Sequence, residues 1–80
     1  MSPSQIKSRL TAVFRSTFHD DTIEIGETTT AADVPHWDSL THVNLILAVE
    51  HDFAIRFTTR EVRSLKTVGE LIGLIQQKTS

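Results

Sequence analysis

The sequence predicts an all-α protein, a four-helix bundle of three longer helices and a short third one, with a long loop between helices one and two. Three observations carry this. Apolar residues recur at helical spacing in four separate segments. Three of those segments open on a capping box, with Ser or Thr three residues before Gln or Glu. Gly and Pro number only three and two in 80 residues, so few positions interrupt regular structure. A chain of this length makes one domain, residues 1–80, with a modest core. Small domains often rely on disulfides, but cysteine is absent, so helix packing or a partner must do that work. The absence of cysteine also fits a reducing compartment.

Taken in order, Ser2-Pro3-Ser4-Gln5 is a capping box with proline at the first helical position. Ile6, Leu10, Val13, Phe14 and Phe18 follow at helical spacing, which predicts a first helix over about 3–18. Residues 19–38 lack a strong period, and a connection that long in so small a domain is usually functional or disordered. Ile23, Ile25, Val34 and Trp37 are available to pin it across the bundle, and Pro35 biases Val34 to an extended shape. A second helix is predicted over 39–53. The alternation in Phe53-Ala54-Ile55-Arg56-Phe57 suits an extended connection that plugs Phe53, Ile55 and Phe57 into the core, since no second strand is available to pair with it. Thr58-Thr59-Arg60-Glu61 opens a short helix over about 59–65, carrying Val62 and Leu65. Thr67-Val68-Gly69-Glu70 opens the last, over about 67–78, with Val68, Leu71, Ile72 and Ile75 on one face.

Charge is segregated along the chain. No Lys or Arg lies between Arg15 and Arg56, an interval that holds Asp20, Asp21, Glu24, Glu27, Asp33, Asp38, Glu50 and Asp52, although the whole chain is only −2. An acidic middle argues against nucleic acid, which requires a basic stripe, and favours partners with basic docking surfaces. No apolar run approaches a membrane span, and the N-terminus lacks a basic-then-apolar secretory pattern, so a soluble cytoplasmic protein is expected.

Asp38-Ser39-Leu40 stands where the polar loop becomes an apolar helix. Nothing nearby is an evident base for the Ser39 hydroxyl. The free N–H groups and dipole of a helix start would, however, stabilise a phosphate carried there. At about 100° per residue the helix has two apolar groups. Leu45, Ile46, Val49 and Phe53 form the larger one, the natural core face. Leu40, Val43 and Leu47 form the second, edged by Asn44, Glu50 and His51. The second group is either an exposed docking patch or part of a wide core, and the wheel does not choose between them. His42 falls on the core-side arc.

With Val43, Leu45, Ile46, Ala48, Val49, Glu50 and Phe53 behind Asp38-Ser39-Leu40, the chain resembles the acyl carrier protein family over nearly its whole length. The resemblance implies a bundle of acyl-carrier type, with Ser39 as the attachment point for 4′-phosphopantetheine. That group would be transferred from coenzyme A by a separate magnesium-dependent phosphopantetheinyl transferase. The arm's thiol would hold an acyl or aminoacyl group as a thioester. Other implied partners are a loading ligase or acyltransferase and downstream biosynthetic enzymes, met by a monomeric carrier that is not itself an enzyme. Asp38 would cap the helix and be read by a basic residue of the transferase. Leu40, Val43 and Leu47 match the apolar ridge such proteins present, with Asn44, Glu50 and His51 around it. Thr41, Asn44 and His51 stand where members serving primary fatty-acid synthesis usually carry carboxylates. That departure implies a dedicated pathway such as polyketide, peptide or modified-lipid assembly.

Three rival readings stand beside this one. A hydrolase using Ser39 and His42, which share a helix face, lacks an orienting acid, an oxyanion hole and the glycine-rich nucleophile turn. His19, His36, His42 and His51 match no metal-ligand spacing. The serious alternative is an unmodified helical adaptor docking a partner through Leu40, Val43 and Leu47.

Overall fold

A computed structural model describes residues 1–79; Ser80, the last residue of the expected domain, lies outside the described residues. Four helices appear in order: α1 (Pro3–Phe18), α2 (Ser39–Phe53), α3 (Thr59–Ser64) and α4 (Val68–Thr79). No strand occurs among the described residues; the connection expected over 53–57 is shorter at its start, because Phe53 ends α2 and Ala54 is its left-handed C-cap, while Ile55 and Phe57 pack against the core as expected.

The helices begin where local chemistry dictates. Ser2 Oγ accepts the Gln5 N–H while Gln5 Oε1 accepts the Ser2 N–H. The same reciprocal pair joins Thr58 and Glu61. At α4 only half of the box forms. Thr67 Oγ1 accepts the Glu70 N–H, but the Glu70 carboxylate reaches back to the Lys66 N–H instead. Helix α1 packs against both α2 and α4, which is why its stripe Ile6, Leu10, Val13, Phe14 and Phe18 is buried throughout. The stripe of α4 and the Leu45, Ile46, Val49 and Phe53 face of α2 close the same core.

The long loop is ordered by anchors at both levels, side chain and backbone. Ile23, Ile25 and Val34 are buried in the core, and Trp37 packs against it. Arg15 Nε donates to the Ile23 carbonyl at 2.8 Å. A 3₁₀ turn at Ala31–Asp33, absent from the sequence expectation, is capped by the Asp33 carboxylate accepting the Thr30 N–H. The loop also caps α4: Val68 N–H donates to the Thr29 carbonyl and Gly69 N–H to the Glu27 carbonyl, each at 2.9 Å. Gly69 is required there, because a Cβ would stand 2.7 Å from the Glu27 oxygen.

Two cation contacts tie the remaining corners. Arg9 meets the Asp52 carboxylate at 3.2 Å, donates to the Asp52 carbonyl at 2.6 Å and lies 4.8 Å from the Phe53 ring centroid. Lys78 pairs with Glu61 at 3.0 Å and sits over Phe57. Among the described residues no helix is long and apolar enough to cross a membrane.

Candidate functional site

Ser39 is the first residue of α2, and Asp38 is its N-cap. Asp38 Oδ1 accepts the Leu40 N–H at 2.9 Å and the Thr41 N–H at 3.0 Å. Those bonds, Thr41 first, hold the Asp38 carboxyl below its ordinary pKa. Thr41 returns the favour through its hydroxyl, accepting the Asp38 N–H at 2.8 Å and donating to the His36 carbonyl at 2.7 Å. The site residue is therefore gripped on both sides while its own hydroxyl stays exposed and has no partner among the described residues. Asp38 thus takes two of the amides at the start of α2, as its expected capping role requires, and the Ser39 N–H is left without a partner among the described residues.

Ser39 and Asp38 open onto a cleft of about 340 Å³ between the start of α2, the 3₁₀ turn and α3. Trp37, Val62 and Leu65, all packed against the core, give it an apolar floor. Arg63, Lys66 and His42 also line it. Trp37 is both core and site: its indole meets Phe14 edge-on at 5.1 Å, and its Nε1–H donates to His42 Nδ1 at 3.1 Å. The two rings stack at 22°. That bond occupies one nitrogen of His42, and no hydrogen bond links His42 to Ser39 among the described residues.

The ambiguity of the helical wheel is resolved by packing. Leu40, Val43 and Leu47 are 81%, 56% and 57% exposed, while the opposite group is buried. A ridge of three large apolar side chains thus runs away from Ser39 along the outer face of α2. Asn44 and His51 beside it are exposed. Glu50 is half-buried, and its Oε2 accepts the Phe57 N–H at 2.8 Å, fastening the connection to α3. The scattered histidines form no metal-binding group among the described residues.

No protein-family model matches the sequence. The solution structure of a holo acyl carrier protein from Geobacter metallireducens superposes with a TM-score of 0.84 at 42% identity, over 90% of this chain and 83% of that one. The chain belongs to the acyl carrier protein family. An acyl carrier protein of Thermosynechococcus vestitus is 28% identical over all of this chain and 99% of its own length. A second, from Acidothermus cellulolyticus, is 40% identical over 42 residues, about half of each chain. A putative acyl carrier protein from Mycobacterium tuberculosis, 24% identical with a TM-score of 0.79, shares the fold. Membership makes this protein a carrier rather than an enzyme.

Reading the acyl carrier sequence alone missed Arg63 and Lys66, which approach Ser39 only through the placement of α3. It also missed the role of Thr41. The spacing Asp38-x-x-Thr41 was the available signal, a capping box with Thr in place of Glu or Gln.

Proposed function

We propose that Ser39 carries 4′-phosphopantetheine and that the protein presents an acyl or aminoacyl intermediate to the enzymes of a lipid, polyketide or related specialised pathway. The observation that carries this is an exposed, unengaged hydroxyl at the head of an exposed apolar ridge, on a backbone clamped by Asp38 and Thr41. A cleft of about 340 Å³ beside the hydroxyl leaves room for a phosphate and the start of an arm. When attached, the arm supplies a terminal thiol that holds the cargo as a thioester. The chain's own residues position and present. Asp38 fixes the first turn and offers a carboxylate edge to a phosphopantetheinyl transferase. Leu40, Val43 and Leu47 supply desolvation to each docking partner, with Asn44, Glu50 and His51 at the rim. Weak docking suffices, because tethering raises the local concentration of cargo at a docked enzyme.

Intact mass after incubation with coenzyme A, magnesium and a broad-specificity transferase tests the reading. The expected result is a gain of one phosphopantetheine, mapped to Ser39 and absent from Ser39→Ala. No gain on folded protein with several transferases would overturn it in favour of the adaptor.

A further inference from the structure

We infer that Arg63 and Lys66 form a cationic clamp for the phosphodiester on Ser39, an inference that rests on the modification proposed above. Phosphate at a helix start is ordinarily held by the first amides and the dipole. Here Leu40 and Thr41 N–H are committed to Asp38, and His42 N–H donates to the Asp38 carbonyl. The Asp38 carboxylate moreover adds a negative charge next to the position a phosphodiester would occupy. Of the first four amides only the Ser39 N–H is left to meet that charge, and the cleft supplies further counter-charge.

Arg63 and Lys66 line the same cleft as Asp38 and Ser39. Neither side chain forms an ion pair or hydrogen bond with the described residues, whereas Arg9, Arg15 and Lys78 are all engaged. Placing two unpaired cations against one carboxylate leaves the empty cleft electropositive. One phosphodiester brings it to balance. The plain alternative is that Arg63, in the last turn of α3, and Lys66, just past its end, only complement the helix dipole; that role predicts no response to modification of Ser39. Arg56 is also unpaired, but it lies in a different cleft with Leu47, Glu50 and Ile55, so it serves as a control.

Wild type, Arg63→Gln/Lys66→Gln and Arg56→Gln are each converted to the free-thiol arm-bearing form, checked by intact mass, and melted beside their unmodified forms. The free-thiol arm carries no anion except its phosphodiester, so a carboxylate on cargo cannot produce the effect. In low salt, modification is expected to raise the melting temperature of wild type and Arg56→Gln by about 3 °C. The rise should vanish in Arg63→Gln/Lys66→Gln and in wild type at 1 M salt, where screening is nearly complete. Nitrogen-15 spectra of wild type should show the Arg63 Nε–H and Lys66 amide peaks moving on modification. Complete modification with the same melting rise in the double variant, and with those peaks unmoved, would overturn the clamp alone. Absence of any mass gain would instead remove the modification itself and the clamp with it.

Discussion

His19 and Ala54 close α1 and α2 in left-handed backbone, at φ 53° and 55°, without being glycine. A Cβ in that region is strained. Ala54 is exposed and its N–H donates to the Glu50 carbonyl, so Ala54→Gly keeps the bond and relieves the strain. The expected result is a stabilisation of about 0.5–1 kcal/mol in urea melts. Asp38 gives the acid-side expectation. Its pKa is depressed in the folded state by the Thr41 and Leu40 amides, so its contribution is complete above the ordinary aspartate range. That contribution is lost as pH falls through the depressed folded value. Asp20, held by Thr22, and Glu61, held by Thr58 and Lys78, shift in the same direction. Melting temperature should therefore fall as pH drops below the ordinary carboxylate range. The gap between wild type and Asp38→Ala should be widest near neutrality and close in acid.

At the scale of elements, three of the four helices began as their local sequence requires. Capping uses atoms within four residues, so Ser2, Asp38 and Thr58 act with little help from the rest of the fold. The fourth helix differs because its first amides are capped by another element, the loop, through Glu27 and Thr29. That contact joins residues about forty apart and has no local signature. It makes Gly69 sensitive. Gly69→Ala forces a Cβ against the Glu27 carbonyl, and a cost of about 1–3 kcal/mol is expected in urea unfolding. Undoing loop docking should also loosen the 3₁₀ turn that walls the Ser39 cleft, which would appear as faster amide exchange at Ala31–Asp33.

For the whole molecule, the outer face of α2 is left open as the proposed docking region because α1 packs against the inner one. Leu47→Glu places a charge on the exposed ridge without touching the core. Stability should stay within about 0.5 kcal/mol, while kcat/KM for modification by a transferase falls about tenfold, the equivalent of one lost apolar contact. A loss of stability instead would show that the ridge is structural.

The sequence by itself determined the helices, the core residues and the identity of Ser39 as the site to test. Periodicity and capping act over one or two turns, and the Asp38-Ser39-Leu40 setting is local too. It also placed Ile23, Ile25, Val34 and Trp37 as loop anchors, since large apolar residues in a polar loop have few other uses. Only the tertiary structure decided which apolar group of α2 faces solvent, because a helix wheel says nothing about which neighbours arrive. It alone showed that Arg63 and Lys66, more than twenty residues downstream, line the same cleft as Ser39. Charge complementarity between distant segments depends on how the chain folds back, and no local pattern encodes it.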